Sequence, residues 1–349
     1  MEKLHFDSDY MRGAHPLIMH NLTATNMEQT PGYGSDQYSE KARQLIKEAC
    51  QCPEARVYFL IGGTQTNSTV IDAILKNHEG VIAATTGHIN VHESGAIEAT
   101  GHKVLALPSH EGKLRVCDLE NFIDDFYADE SYEHMVAPGA VYISYPTELG
   151  TLYTKEELCE ISKCCRKKNI PLFLDGARLG YALAANPEIS LSDIASLCDV
   201  FYIGGTKVGA LFGEAVVVTN PEILHHFVPL VKQHGALLAK GRILGIQFMT
   251  LFTDRLYEII SRNAIIQAMK LKKIFMDHGY SLYIDSPTNQ QFFLLPNSFI
   301  DKLRELVTFE LWGSKGAEVT PVRFVTDWAT SDAEINLLEQ IIDNIQQES

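Results

Sequence analysis

The chain has 349 residues, of which 46% are hydrophobic and 21% are charged, and its formal net charge is −15. This composition is that of an ordinary globular protein, and the length suggests one large domain with a smaller companion. Because the acidic balance repels phosphate backbones and no apolar run approaches the roughly 18 residues of a membrane span, we expect neither a nucleic-acid partner nor a membrane partner.

The amino-terminal stretch "MEKLHFDSDYMRG" has no basic region followed by an apolar one, so we expect no signal peptide and a cytoplasmic protein. The seven cysteines include "CQC" and "CC", neither of which has the two-residue gap of a zinc knuckle or a redox motif. We therefore expect free thiols in a reducing compartment. The spacing of His and Cys predicts no metal site.

Between residues 55 and 220, short β-branched or aromatic runs alternate with longer segments of helical period. Strands written as continuous apolar runs predict a largely parallel sheet that is covered on both faces, and ligands bind such sheets beyond the carboxyl ends of the strands. The predicted strands lie in "RVYFLIGG", "GVIAATTG", "HKVLALP", "GAVYISYP", "IPLFLDGA", "DVFYIGG" and "EAVVVTN".

Residues 221–275 show few strand signals and are predicted to be helical. The remainder, with "SLYIDS", "QQFFLLP", "VRFVTDW" and the amphipathic "SDAEINLLEQIIDNIQQ", predicts a small α+β domain. We therefore place a large domain at 1–255, to whose active site the amino-terminal segment contributes, and a small carboxyl-terminal domain at 256–349.

Lys207 stands among glycines in "GGTKVGA", directly behind the predicted strand "DVFYIGG". Burying an ammonium costs several kcal/mol unless it is paired or deprotonated. Lys207 is therefore either an incidental feature of a strand end or a reactive amine.

Another strand end carries "GGTQTNS". Gly62 and Gly63 allow the backbone to approach a ligand, and Thr64 and Asn67 lie where a helix begins, so free N–H groups and the helix dipole would favour a phosphate. An ordinary capped helix without a ligand is the alternative.

Asp175 follows the apolar run "IPLFL", where an unpaired carboxylate is costly. Arg178 could neutralise it as a plain ion pair. A phosphate-binding turn, an aspartate and a lysine on one rim of a parallel sheet together suit pyridoxal phosphate, with Lys207 forming the Schiff base and Asp175 keeping the pyridine nitrogen protonated.

Six motifs, "SDY", "GGTQTN", "HINVHESGA", "LDGARLGYAL", "GGTKVGA" and "VRFVTDWAT", resemble in order and spacing the L-threonine aldolases of the β-eliminating lyase group, with phenylserine aldolase the nearest variant. The resemblance implies an α/β protein of the pyridoxal phosphate-dependent transferase fold type I, similar to aspartate aminotransferase. Its large domain would hold a mostly parallel seven-stranded sheet. It also implies a homotetramer or homodimer whose subunits share active sites.

Position by position, Lys207 matches the family's Schiff-base lysine and Asp175 the partner of the pyridine nitrogen. Gly63 and Thr64 match the phosphate turn. His88 matches the histidine that stacks on the cofactor ring and handles the substrate hydroxyl proton. A histidine that merely caps a helix is the alternative for His88.

Ser8, Arg178 and Arg323 match the groups that hold the substrate carboxylate, for which a planar guanidinium is well shaped. Arg178 also belongs to the family's cofactor-binding set. Without the resemblance, Arg323 would pass as an edge-strand arginine. Glu93 matches a family glutamate close to the catalytic centre, where it could position a water.

Lys240 and Arg242, in "LAKGRILG", match residues that reach the phosphate bound by a neighbouring subunit. His92 stands next to the substrate side chain, where many threonine aldolases have tyrosine, and "TDWAT" replaces the usual "THLD". These departures leave the preferred substrate open among threonine, allo-threonine and phenylserine.

The expected activity is that of a carbon–carbon lyase of the low-specificity threonine aldolase type, which cleaves a β-hydroxy-α-amino acid to glycine and an aldehyde. Since a fold does not fix a function, three alternatives stay open. One is another pyridoxal phosphate reaction, such as β-elimination or transamination, and the second is a non-catalytic relative that senses the cofactor. The third, an acidic interaction scaffold, would need an acidic tail or block that the sequence lacks.

Overall fold

A computed structural model describes residues 3–224 and 226–347. The strands are β1 (Leu4–His5), β2 (Arg56–Leu60), β3 (Glu79–Ala84), β4 (Lys103–Leu107), β5 (Ala137–Ser144), β6 (Leu172–Asp175), β7 (Val200–Gly204), β8 (Glu214–Val218), β9 (Ser281–Ile284), β10 (Gln290–Pro296), β11 (Val307–Thr308), β12 (Glu310–Leu311) and β13 (Val319–Val325). The helices are α1 (Pro16–Ala24), α2 (Gln37–Ala49), α3 (Gly63–Ile74), α4 (His88–Val91), α5 (Val116–Ala128), α6 (Lys155–Lys168), α7 (Leu179–Ala185), α8 (Leu191–Leu197), α9 (Phe227–Gln233), α10 (Arg242–Phe252), α11 (Leu256–Asp277), α12 (Asn297–Leu303) and α13 (Asp332–Gln347). Within the two described ranges, no helix combines the length and the apolar character needed to cross a membrane.

The central sheet has the strand order β2-β8-β7-β6-β5-β3-β4. Strand β8 runs antiparallel to both of its neighbours, and the other pairs are parallel. This arrangement confirms the mostly parallel seven-stranded sheet and all seven predicted strands. Along β7 the side chains alternate between two cores, with Phe201 on one face and Tyr202 on the other, which explains why the strand is apolar throughout.

The smaller sheet is antiparallel, with the order β12-β13-β10-β9. Its core is aromatic, and the Phe275 ring on α11 stacks on Phe293 with centroids 4.3 Å apart and also contacts Phe324. The predicted strands β9, β10 and β13 and the terminal helix α13 are confirmed. Strands β11 and β12 have two residues each and show no period that a sequence could reveal.

The amino-terminal segment packs against the part of the chain that contains the smaller sheet. Leu4 pairs with Val307 in a short parallel ladder, and Phe6 is buried in the same aromatic core. The boundary expected after residue 255 falls between α10 and α11. Helix α11 contacts α7 of the large unit as well as α13 and the small sheet, so that boundary stays a prediction.

The sheet register brings several strand ends to one edge. Ser144 at the end of β5 pairs with Asp175 at the end of β6. Gly204 at the end of β7 pairs with Glu214 at the start of β8, and Glu214 also pairs with Leu60 of β2. Residues that are distant in the sequence therefore surround one position at the carboxyl edge of the parallel strands.

Candidate active site

A cavity of about 320 Å³ opens at this edge of the sheet. Loops after β2, β3, β5, β6 and β7 contribute to its wall. The predicted site residues that line it are Gly63, Thr64, His88, Glu93, Asp175, Arg178 and Lys207.

Lys207 lies in the loop that connects β7 to β8. Its backbone carbonyl accepts a hydrogen bond of 2.5 Å from the Tyr181 hydroxyl, which fixes the loop against α7. Burial, and after it the charge of Arg178, lowers the pKa of the Lys207 amine to about 8. About a tenth of the amine is therefore neutral and nucleophilic at pH 7, far more than of an ordinary lysine.

The carboxylate of Asp175 accepts four hydrogen bonds. Its Oδ2 receives the Tyr142 hydroxyl at 2.6 Å and the Asn67 amide at 3.0 Å. Its Oδ1 receives the Tyr202 hydroxyl and the backbone N–H of Ala177, the latter at 3.0 Å. Four donors match the lone-pair sites of an ionised carboxylate.

Burial alone would raise the pKa of Asp175, but the nearby His88 and the four donors outweigh it and hold this pKa below the ordinary value. Asp175 is thus anionic although it is only 5% exposed. An anion at this depth suits a cationic ring nitrogen in the cavity.

His88 forms a pair with Glu93. The distance between His88 Nδ1 and Glu93 Oε1 is 2.8 Å, and the Asn67 amide donates to the same oxygen at 2.7 Å. Because a carboxylate only accepts hydrogen bonds, Nδ1 carries the hydrogen, and in the neutral ring Nε2 then has the free lone pair. In the structure Glu93 thus contacts Nδ1 of the His88 ring.

Helix α3 begins at the cavity without a side-chain cap. Its N-cap is Gly62, and among the described residues no side chain caps the first N–H groups of this twelve-residue helix. The positive end of the helix dipole and these N–H groups form an anion site next to Gly63 and Thr64.

Arg178 is paired with Asp9, and not with Asp175 as its sequence spacing allows. Its guanidinium donates to both carboxylate oxygens of Asp9, at 2.6 and 3.1 Å, and Asn289 donates to Asp9 at 2.9 Å. The Asp9–Arg178 pair joins the amino-terminal segment, the large sheet and the loop before β10.

Arg323 is not among the residues that line the cavity. It donates to Gln290 at 2.8 Å and to Glu310, and its guanidinium carbon is 5.0 Å from the centroid of the Trp312 ring. Its Nε is buried without an acceptor among the described residues. Burial, and after it the charge of Arg178, lowers the pKa of Arg323, so the two guanidiniums interact.

The remaining predicted residues lie around the cavity. Ser8 is buried beside Asp9, and its hydroxyl accepts from the Tyr10 N–H at 3.4 Å. The ring of His92 has its centroid 5.7 Å from that of His88. Burial, and after it His88, lowers the pKa of His92.

Lys240 and Arg242 line a second cavity of about 650 Å³, which shares Phe212 with the first. Arg242 donates to two backbone carbonyls of the loop after α1, both at 3.0 Å. Neither residue lines the first cavity of its own chain, so a role in cofactor binding stays a prediction.

Five further residues shape the site and were not predicted: Asp9, Tyr142, Glu148, Tyr202 and Glu214. Glu148 accepts the backbone N–H of His88 at 2.9 Å and the Ser144 hydroxyl at 2.6 Å, and burial raises its pKa. The tyrosines are hidden inside apolar strands. Glu214 did carry a signal, an acid that adjoins an apolar run as in the case of Asp175.

The cavity fits pyridoxal phosphate. It combines a partly neutral lysine amine, an ionised aspartate and a free helix N-terminus. In addition, Asn67 Oδ1 and Glu93 Oε2 are buried without a hydrogen-bond partner among the described residues. Such unsatisfied oxygens are consistent with a polar ligand in the site.

The comparisons with known proteins identify the family of the chain. The profile of the β-eliminating lyases matches residues 6–287. The low specificity L-threonine aldolase of Pseudomonas aeruginosa is 30% identical over 339 residues, which are 93% of each chain. A solved structure of the threonine aldolase of Leishmania major has 41% identity, covers 99% of both chains and superposes with a TM-score of 0.94.

A solved histidinol-phosphate aminotransferase from Clostridium acetobutylicum has 14% identity, 99% and 100% coverage of this chain and of its own, and a TM-score of 0.75. At that identity the likeness concerns the fold alone. It confirms the predicted fold class and does not separate one reaction from another.

The lowered pKa of Lys207 predicts how fast the cofactor-free protein takes up pyridoxal phosphate. The neutral amine is the reactive form, so the condensation rate at saturating cofactor should rise with pH and level off above about 8. Stopped-flow absorbance at a series of pH values measures this rate, with Lys207→Ala as the blank. A rate that climbs on toward pH 10.5, the value of an ordinary lysine, would contradict the assignment.

Proposed function

The chain belongs to the β-eliminating lyase family, in its threonine aldolase group, and we propose that it cleaves β-hydroxy-α-amino acids between Cα and Cβ to glycine and an aldehyde. The observation that carries the proposal is the shared cavity, in which the Lys207 amine and the Asp175 carboxylate meet the His88–Glu93 pair. The Lys207 amine and the Asp175 carboxylate serve a pyridoxal cofactor in general. The His88–Glu93 pair provides the base that an aldol cleavage needs.

Bound pyridoxal phosphate supplies an acceptor for the electrons of the broken bond. Lys207 provides the amine that holds its aldehyde carbon, and Asp175 provides the anion that keeps its ring nitrogen protonated. The N-terminus of α3, at Gly63 and Thr64, receives the phosphate.

His88 takes the proton of the substrate hydroxyl at Nε2. As the O–H electrons form the carbonyl of the departing aldehyde, the Cα–Cβ bond breaks, and a proton returned to Cα gives glycine. Glu93 fixes the tautomer of the ring and stabilises the imidazolium that forms.

Arg178 and Arg323, with Ser8, hold the substrate carboxylate. The orphan Nε of Arg323 is a buried donor that such an anion would satisfy. Fixing the carboxylate orients the Cα–Cβ bond for cleavage. His92, near His88, then faces the substrate side chain, and threonine, allo-threonine and phenylserine are the candidate substrates.

The chain is further proposed to work as a homotetramer or homodimer, in the cytoplasm, with Lys240 and Arg242 reaching the cofactor phosphate of a neighbouring subunit. Two features support the shared site. Both basic residues line the second cavity and not the first cavity of their own chain. In addition, Tyr10 at the mouth of that cavity and Met27 beside the second are 56% and 89% exposed, as apolar side chains at a subunit contact would be in an isolated chain.

The central experiment incubates the purified protein, supplied with pyridoxal phosphate, with each of L-threonine, L-allo-threonine and L-phenylserine. We expect equal amounts of glycine and the matching aldehyde, and Lys207→Ala should lose both this activity and the visible absorbance of the lysine-bound cofactor. Bound cofactor without aldehyde release would point to β-elimination or transamination. No cofactor binding at all would exclude the enzyme.

Replacing Glu93 by Gln should lower kcat by about 100-fold or more, because an amide can donate to Nδ1 and thereby favour the wrong tautomer of His88. The effect should fall on kcat more than on KM, and the pH profile of kcat should change. Glu98→Gln is the matched control, since Glu98 is exposed on the same loop and should leave kinetics unchanged. Equal losses in both variants would exclude the orienting role.

The shared site predicts complementation between two inactive variants. A subunit with Lys207→Ala mixed with a subunit with Arg242→Ala forms one site in which both residues are intact, provided that Arg242 acts across the interface. Activity should then return on mixing and re-equilibration, to a fraction of the wild-type value. If Arg242 serves its own chain's cofactor, every site in the mixture lacks one of the two residues and no activity returns.

A further inference from the structure

Glu214 is a buried acid at the anion end of the cavity. It begins β8 at the sheet edge and is 2% exposed, yet its side chain lines the same cavity as Gly62, Gly63 and Lys207. These glycines belong to the free N-terminus of α3, to which the phosphate is assigned under the proposed function. An ionised carboxylate there would repel that phosphate.

The carboxyl group of Glu214 is tied to the residues before Lys207. The Thr206 hydroxyl lies 2.8 Å from Glu214 Oε1, and the Gly205 N–H donates to Oε2 at 3.1 Å. The Gly213 N–H donates to the same Thr206 oxygen at 3.0 Å. Thr206 also lines the cavity.

A count of hydrogens links the charge of Glu214 to the orientation of Thr206. A threonine hydroxyl has one hydrogen and two lone pairs, and the Gly213 N–H occupies one lone pair. If Glu214 is ionised, Thr206 must give its only hydrogen to the carboxylate. If Glu214 is protonated, the acid donates to the second lone pair, and the Thr206 hydrogen is free to face the cavity.

We propose that Glu214 in its protonated form is a positioning residue of the cofactor-phosphate site, where it frees the Thr206 hydroxyl to donate to the phosphate. Ionisation of Glu214 withdraws that donor and places a negative charge beside the phosphate. The cofactor affinity of this chain therefore falls as Glu214 ionises.

The surroundings of Glu214 favour the protonated form over a wide pH range. Burial raises its pKa to about 8, although the bonds from Thr206 and Gly205 and the charge of Lys207 act in the opposite direction. Asp175 raises this pKa further. The other titratable groups that interact with Glu214 are the hydroxyls of Tyr202 and Tyr257, which burial keeps neutral.

The test measures the affinity of the cofactor-free, full-length protein for pyridoxamine phosphate by equilibrium dialysis, from about pH 6.5 to 9.5. This probe has no aldehyde, so no bond to Lys207 forms. In the wild type, Kd should rise by about tenfold between about pH 7 and pH 9. Glu214→Gln, whose amide can donate permanently to Thr206, should change by less than about twofold and bind more tightly at high pH.

Pyridoxamine without the phosphate is the control ligand, and its Kd should respond equally to pH in both proteins. When Thr206→Val is combined with Glu214→Gln, the tighter binding of pyridoxamine phosphate at high pH should be lost. When Thr206→Ser is combined with Glu214→Gln, it should be retained. Thermal unfolding of each variant checks that the fold persists. Parallel pH curves for the wild type and Glu214→Gln with pyridoxamine phosphate would overturn the inference. A wild type that binds neither pyridoxal phosphate nor this probe would instead overturn the proposed function.

Discussion

The burial of one carboxylate, that of Asp175, constrains the whole carboxyl edge of the sheet. A buried charge without partners costs several kcal/mol, so the fold has to supply donors from every direction. Tyr142 comes from β5 and Tyr202 from β7, the two strands that flank β6, and Asn67 comes from α3. Because these donors need the sheet register and the helix in place, the ionised aspartate and the fold depend on each other.

A buried ion pair, that of Asp9 and Arg178, lies at the wall of the site. Asp9 binds the fork of Arg178 with both oxygens and also receives Asn289, so that burial does not prevent its ionisation, and its pKa lies below the ordinary value. Removing one partner would leave the other charge buried without compensation, and its desolvation would then destabilise the fold. The position of the amino-terminal segment over the cavity is thereby coupled to the position of the smaller sheet, which carries Arg323.

The sequence revealed the elements with a clear period and the chemistry that stands next to them. Seven apolar runs predicted seven strands, and Lys207 and Asp175 were found because a charge directly after such a run needs an explanation. Arg323 has no local signal, and only the resemblance to threonine aldolases identified it. Asp9 and the two tyrosines could not be predicted, because their roles depend on contacts across long sequence separations, 169 residues in the case of Asp9 and Arg178.

Asp175 and Glu214 show how one cavity keeps two buried acids in opposite states. The nearby His88 and the four hydrogen bonds that Asp175 accepts outweigh burial and hold its pKa low. The contacts of Glu214 with Thr206 and Gly205 and the charge of Lys207 do not outweigh burial, and its pKa rises to about 8. The balance of burial against nearby charges and donors thus decides which acid is charged near neutral pH. The charged acid lies where a protonated ring nitrogen is to be stabilised, and the neutral one lies beside the helix N-terminus, where a second anion would oppose the phosphate.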